Sequence, residues 1–163
     1  MQNQIIYRIG DATKPQADGN KIIAHICNNI GAFGKGFVLS VDRRWKAPKI
    51  MYKGWYAGAR REDEKKFGLG ETQFVKVEND IWVANMIAQK GIYTKNGVPP
   101  IRYSAVESCL NTVAEMAKRI APSSIHMPRI GCGLAGGKWN RVEEIINRTL
   151  IANDIGVFVY DLR

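Results

Sequence analysis

The stretch KIIAHICNNIGAFGKG, residues 21–36, decides the fold class. Its first part, Lys21 to Ile26, is mostly apolar without alternation, which is typical of a strand covered on both faces. The strand runs directly into Asn28-Asn29 and a glycine-rich loop, Gly31–Gly36. From Phe37 to about Arg44 the pattern is helical. The stretch therefore predicts a strand–loop–helix unit of an α/β protein.

A second unit of this kind follows further along the chain. Ser124–Met127 predicts a strand, Gly131–Gly137 is glycine-rich, and a helix is expected from about Trp139 to Ala152. Ligands bind α/β sheets where strands end and helices begin, and free N–H groups at a helix N-terminus favour phosphate. We therefore expect the two loops to hold a phosphorylated nucleotide-type ligand. The alternative is that their glycines only form tight turns.

The other segments continue the alternation of strands and helices. In chain order they are strand Ile5–Ile9, a helix from Pro48 to Gly58 or Arg61, a hairpin of Thr72–Val77 and Ile81–Met86, a loop over Gln89–Ile101, a helix over about Tyr103–Arg119 and strand Val157–Tyr160. This order predicts one α/β domain over residues 1–163, a three-layer α/β/α sandwich with a mixed, mostly parallel central sheet and the hairpin at its edge.

Composition narrows the class of protein further. The chain has 163 residues, of which 45% are hydrophobic and 24% charged, as in ordinary globular domains. No signal peptide is recognisable, and no apolar run approaches the ~18 residues of a membrane span. Three widely spaced cysteines and two histidines do not suggest a disulfide framework or a metal site. We expect a cytoplasmic protein with no membrane partner, no metal and no cofactor.

The net charge of +9 has two interpretations. Much of the excess lies in the segment Arg43–Lys66, where the aromatic residues Trp45, Tyr52, Trp55 and Tyr56 are interleaved with basic ones. The first interpretation is a solvated helical face whose aromatic side chains turn to the core. The second is a basic surface that attracts an anionic ligand or RNA.

Four stretches together carry a resemblance to a known family. They are Arg8-Ile9-Gly10-Asp11-Ala12, Ala24 to Gly36, Met127 to Leu134, and Val159-Tyr160-Asp161-Leu162. The chain resembles a macro domain, the fold that binds ADP-ribose. Within that family it is similar to the branch of yeast-type ADP-ribose 1″-phosphate phosphatases and of hydrolases that remove terminal ADP-ribose from glutamate.

The resemblance implies a set of ligand-binding residues. Asp11 and Ala12 would contact adenine, Asn28 or Asn29 the distal ribose, and Tyr160 and Leu162 the adenine ring or its ribose. Asp11 is alternatively a turn residue, and Tyr160 alternatively packs within its strand. The two loops would surround the distal ribose and the diphosphate with Gly34, Lys35, Gly36 and Phe37 on one side and Gly131, Cys132, Gly133 and Leu134 on the other.

The residues predict catalytic activity less clearly than they predict ligand binding. His25 could act as acid or base, although a histidine in a buried strand is more often a core residue, and Asn28 could orient a water. The glutamate-ADP-ribose hydrolases use a lysine and an aspartate, whose positions are taken here by Gln89, with Lys90 adjacent, and by Ala135.

The expected ligand is ADP-ribose or ADP-ribose 1″-phosphate, or ADP-ribose attached to a protein or nucleic acid. The sequence is compatible with an ADP-ribosyl hydrolase or phosphatase, with a non-catalytic binding module, and, less directly, with an RNA-binding protein.

Overall fold

A computed structural model describes residues 3–162 of the chain. Its elements alternate as the sequence predicts. They are β1 (Ile6–Ile9), β2 (Asn20–Asn28), α1 (Phe37–Arg44), α2 (Ala47–Tyr56), β3 (Thr72–Glu78), β4 (Ile81–Gln89), α3 (Tyr103–Arg119), β5 (Ser123–Met127), α4 (Trp139–Thr149), a short 3₁₀ turn (Ile151–Asn153) and β6 (Gly156–Asp161).

The strands form one six-stranded sheet in the order β1-β6-β5-β2-β4-β3. Every neighbouring pair is parallel except β3 and β4, which form the predicted hairpin at one edge. The α/β fold with a mixed, mostly parallel sheet is therefore confirmed. Because β2 and β5 are parallel neighbours, their carboxyl ends lie at the same edge, and the two glycine-rich loops start there.

Strand β2 is central to the packing. Its side chains alternate between two buried clusters: Ile22 and Ala24 pack with residues of α3 and α4, whereas Ile23 and Cys27 pack with residues of α1 and α2. Both faces of the sheet are thus covered by helices, which gives the three predicted layers. An apolar run without alternation is the pattern that such a doubly covered strand requires.

The C-terminal ends of two helices differ from the expectation. Helix α4 was expected to reach Ala152 but ends at Thr149, because the chain tightens into the 3₁₀ turn and then enters the left-handed conformation at Asp154. Helix α2 ends at Tyr56, two residues before the nearer of its two predicted ends, and Gly58 follows with a φ of 105°. Proline lies in the first turn of α2, where its missing N–H costs nothing.

Most aromatic side chains of the basic segment Arg43–Lys66 turn to the core, as its first interpretation expects, and the attraction of an anionic ligand or RNA stays a prediction. Tyr52 and Trp55 are buried and Trp45 is half-buried, while the basic side chains lie outside. Tyr56 is the exception, with 49% of its surface exposed. Among the helices within residues 3–162, none is long and apolar enough to cross a membrane.

Candidate ligand-binding cleft

The two glycine-rich loops face each other across a cleft at the carboxyl edge of the sheet. A first chamber of about 420 Å³ lies between Lys35 and Gly36 on one wall and Gly131 and Gly133 on the other. A second chamber of about 370 Å³ extends toward Asn28 and the loop after β4. The two chambers form one cleft, because five residues line both of them: Ile26, Lys35, Val38, Gln89 and Leu134.

The first loop is held in shape by the side chain of Asn28. Its Oδ1 accepts hydrogen bonds from the backbone N–H groups of Ile30 (3.0 Å) and Ala32 (3.1 Å), and its Nδ2 donates to the Ala32 carbonyl at 2.7 Å. The buried Tyr52 hydroxyl donates to the Asn28 carbonyl at 2.6 Å and accepts from Gly31 N–H at 3.1 Å. These bonds make the loop a preorganised wall of the cleft.

Glycine serves two purposes in these loops. Gly31 has a φ of 79°, and a Cβ there would lie 2.5 Å from the Tyr56 ring; Gly131 has a φ of 74°, and its Cβ would lie 2.4 Å from Ile101 Cδ1. Backbone conformation and packing therefore require glycine at both positions. Gly34 and Gly133 differ, because neither has a left-handed φ and a Cβ would meet nothing within 4 Å. The space in front of these two glycines is open to a ligand.

A buried chain of hydrogen bonds fixes the protonation of His25. Asn85 Nδ2 donates to the Gln73 Oε1 (3.0 Å) and to the Pro48 carbonyl (3.1 Å), which leaves Asn85 Oδ1 as the acceptor for His25 Nε2 at 2.6 Å. Nε2 therefore carries the proton and Nδ1 is an acceptor. Burial lowers the pKa of His25 to about 4, so the ring is neutral at pH 7.

His25 lines the first chamber and contacts the rings of Phe33 and Phe37. It is 1% exposed, and its Nδ1 is a buried atom that no described residue satisfies. An unpaired buried acceptor costs free energy unless a donor reaches it. The environment is that of a core histidine that lines the cleft and has one unused hydrogen-bonding atom.

The electrostatics of the cleft favour an anionic ligand. Lys35 and Arg129 are its cationic side chains, and none of the described residues that line either chamber is Asp or Glu. Arg129 forms a bidentate pair with Asp161 at 2.7 and 2.9 Å, which raises the pKa of the guanidinium and lowers that of the carboxyl. Lys35 thus contributes the uncompensated charge. Between residues 3 and 162 no group of three or more His, Cys, Asp or Glu could hold a metal ion.

Most of the residues that the sequence singled out are brought together here. They line one or both chambers: His25, Asn28, Gly34, Lys35, Gly36, Phe37, Gly131, Gly133, Leu134 and Leu162. Asn28 uses its side chain to hold the loop, and its predicted role toward ribose or water stays a prediction.

Five predicted residues lie outside both linings: Asp11, Ala12, Asn29, Cys132 and Tyr160. Asp11 Oδ1 accepts from Thr13 N–H and Oγ1–H, which is the turn alternative, and Tyr160 is 6% exposed with its hydroxyl 2.7 Å from His126 Nδ1, which favours strand packing. Asn29 Oδ1 accepts from Gly91 N–H and so joins the first loop to the loop after β4. Direct ligand contacts of these residues stay predictions.

Some functional features were not found from the sequence. Tyr93 and Ile92, in what was predicted only as a loop, line the second chamber, and Ser40 lines the first. The role of Tyr52 as an anchor of the first loop was also missed. The sequence did contain a signal for the hydrogen bond between His25 and Asn85, because Asn85 is a polar residue within the apolar strand Ile81–Ala88.

The positions that the glutamate-ADP-ribose hydrolases use for catalysis are also placed. Gln89 lines both chambers and Ala135 lines the first, whereas Lys90 is exposed and lines neither. No lysine–aspartate pair therefore faces the described part of the cleft.

Comparison with known proteins gives relatives of several kinds. A search of protein-family models finds no match. Zebrafish (Danio rerio) chromodomain-helicase-DNA-binding protein 1-like is 29% identical over 98% of this chain, and the chain spans 16% of that relative's length. A Bacteroides thetaiotaomicron protein of unknown function is 53% identical, with a TM-score of 0.91 and 98% of each chain covered.

Two further solved structures indicate the class of protein to which this chain is similar. A macrodomain protein from Streptomyces coelicolor is 46% identical, with a TM-score of 0.82, and 97% of this chain and 99% of that chain are covered. Thermosipho africanus DarTG in complex with ADP-ribose is 20% identical, with a TM-score of 0.67, over 87% of this chain and 38% of that one. At 20% identity, the likeness to DarTG shows a shared fold alone.

Proposed function

Since this chain belongs to the macrodomain family, we propose that its cleft binds ADP-ribose. The observation that carries the proposal is the pair of open glycines, Gly34 and Gly133, in the two loops that wall the cleft. A ligand can approach the backbone of these two glycines closely, and the folded chain itself gives no reason for the side chain to be absent there. The solved structure of Thermosipho africanus DarTG, of which 38% matches this fold, is a complex with ADP-ribose, and this supports the same ligand class here.

The chemistry of the cleft agrees with a diphosphate ligand. Lys35 supplies positive charge without a carboxylate in either lining, and α1 begins at Phe37 with no acidic residue in its first turn. Helix N-termini and lysine both favour phosphate. By the family resemblance, the adenine end would lie toward Asp11 and Leu162 and the distal ribose toward Asn28.

Calorimetric titration with ADP-ribose tests the binding proposal. One saturable site is expected in the wild type. Lys35→Gln should weaken it about tenfold, since a hydrogen bond to a charged group contributes about 1.5 kcal/mol. Lys90→Gln is the matched control, because it removes the same charge from an exposed residue outside both linings. No heat of binding in the folded wild type, or equal losses in the two variants, would refute the proposal.

We further propose that the protein hydrolyses ADP-ribose 1″-phosphate or a related ADP-ribosyl ester. In the phosphate case a water oxygen bonds to phosphorus, the bond to the 1″ oxygen breaks, and that oxygen takes up a proton, which yields ADP-ribose and phosphate. His25 supports this idea, because it lines the first chamber and its Nδ1, which has no partner among the described residues, could orient a water.

The alternative is a non-catalytic module that holds ADP-ribose or ADP-ribosylated macromolecules. It is favoured by Gln89 and Ala135 at the positions of the hydrolase lysine and aspartate. Phosphate release from ADP-ribose 1″-phosphate, and ADP-ribose release from modified glutamate, aspartate and nucleic acid, distinguish the two. Turnover that His25→Gln abolishes, while ADP-ribose binding persists, supports the enzyme. Binding without turnover of any of these substrates supports the module.

A further inference from the structure

A second cationic cavity lies on the α3–α4 face of the protein, behind the second glycine-rich loop. This outer groove has a volume of about 510 Å³ and is lined by Pro99, Ile101, Arg102, Ser104, Lys138 and Arg141, among others. Ile101 N–H donates to the Ala135 carbonyl at 3.1 Å. Since Ala135 lines the first chamber, this bonded segment separates the groove from the cleft.

Three cationic side chains surround the outer groove, and no Asp or Glu is among its described lining residues. Arg102 is held in place by its NH1 group, which donates to the Pro99 carbonyl at 2.7 Å. The guanidinium of Arg141 lies 3.8 Å from the centroid of the Tyr103 ring. Contact with the ring face restricts this guanidinium, and its N–H groups can still bind an anion.

The backbone adds to this positive field. Tyr103 opens α3 and Trp139 opens α4, and neither helix has an acidic residue in its first turn or a capping side chain. The Tyr103 hydroxyl accepts from Lys138 N–H at 2.9 Å, so the two helix starts are joined beside the groove. Glu107 and Glu144 line an adjoining smaller groove that shares Arg141 with the outer groove, so the cationic region ends on that side.

We propose that the outer groove is a phosphate-binding site distinct from the ADP-ribose cleft. Three cationic side chains in a lining without Asp or Glu, one of them a guanidinium held against an aromatic ring, are groups that recognise phosphate oxygens. The phosphate belongs either to a small free phosphate compound or to the backbone of a single-stranded nucleic acid. The proposal does not depend on what occupies the cleft.

The test compares two double variants with the same change of charge. Lys138→Gln with Arg141→Gln removes two cations from the groove. Lys118→Gln with Arg119→Gln removes two exposed cations from the opposite end of α3. Pyrophosphate and an eight-residue oligothymidylate are titrated into each protein by calorimetry, and amide shifts are followed by NMR at Ser104 and Gly136.

Binding in the wild type should move the amide signals of Ser104 and Gly136 and weaken at least tenfold in the groove variant, with a change below twofold in the control. For the oligonucleotide, the slope of log K against log salt should also fall by about 1.4, since each single-strand phosphate contact contributes about 0.7.

Response to pyrophosphate alone assigns the site to small phosphate compounds, and response to the oligonucleotide assigns it to nucleic acid. If neither ligand binds, or both double variants lose affinity equally, the site does not exist. ADP-ribose titration should be unchanged in the groove variant; a parallel loss there would show that groove and cleft are not distinct.

Discussion

Replacing Gly34 by alanine should make the protein slightly more stable and a much poorer binder. The φ of Gly34 lies outside the left-handed region, and its Cβ would meet nothing within 4 Å. Alanine at such a position stabilises a protein by about 0.4–1 kcal/mol, because the unfolded chain loses freedom. The new methyl group would occupy the space that a ligand needs in order to reach the loop backbone.

The loss of binding can be estimated from one contact. A ligand phosphate displaced from one amide loses a charge-assisted hydrogen bond of about 1.5–3 kcal/mol, which raises Kd roughly 10- to 150-fold. Urea unfolding with ADP-ribose at 100 times the wild-type Kd reports both effects. The ligand should stabilise the wild type by about 2.7 kcal/mol and a variant with 30-fold weaker binding by about 0.9 kcal/mol.

Gly68→Ala is the matched control for this experiment. Gly68 also lacks a left-handed φ, and a Cβ there would meet nothing within 4 Å, but this glycine lines neither chamber. The control variant should show the same small gain in stability with unchanged stabilisation by ligand. If Gly34→Ala binds ADP-ribose within twofold of the wild type, the ligand does not press against the first loop and the reasoning is refuted.

Three other perturbations have expected outcomes. Gly31→Ala should lower the free energy of unfolding by at least about 1 kcal/mol, because alanine resists a φ of 79° and its Cβ would strike the Tyr56 ring; unchanged urea stability would contradict this. Tyr52→Phe should cost about 1–3 kcal/mol in the same assay and weaken ADP-ribose binding, since it leaves Gly31 N–H without its acceptor; a variant that binds normally would show that the first loop needs no anchor. Burial lowers the pKa of His25 to about 4 and the pKa of His126 to about 3. Below about pH 6.5 the unfolded chain therefore binds protons that the folded protein does not. The free energy of unfolding should fall on acidification by about 1.4 kcal/mol per pH unit for each histidine. Urea unfolding at pH 7.0, 6.0 and 5.0 measures this slope, which His25→Gln should halve; a flat profile would contradict the assignment of neutral buried rings.

The fold was predictable because its signals are local. The apolar run of β2, the alternation in β3 and the helical spacing in α3 each follow from the period of one element. The end of α4 was placed three residues too far because Leu150 and Ile151 continue an apolar pattern that the backbone no longer follows as an α-helix. Periodicity reports which side chains are buried, not which hydrogen bonds the backbone makes.

The internal support of the cleft was not predictable in the same way. Asn28 and the hydroxyl of Tyr52 meet across 24 positions of sequence, and His25 reaches Asn85 across 60. Each contact depends on a side-chain direction that only the assembled layers determine. Tyr93 is another such case, since nothing in a glycine- and proline-containing loop indicates that its ring lines the second chamber.

The glycines show why a motif match leaves function open until the structure is known. The sequence presents Gly31 and Gly34 as equivalent members of one loop, but Gly31 is constrained by its φ and by Tyr56, whereas nothing in the folded chain constrains Gly34. The same division separates Gly131 from Gly133 in the second loop. A glycine that the fold requires is no evidence of ligand binding, because it would be present even in a loop that binds no ligand. The two unconstrained glycines, one on each wall, are therefore the positions at which substitution separates ligand binding from folding.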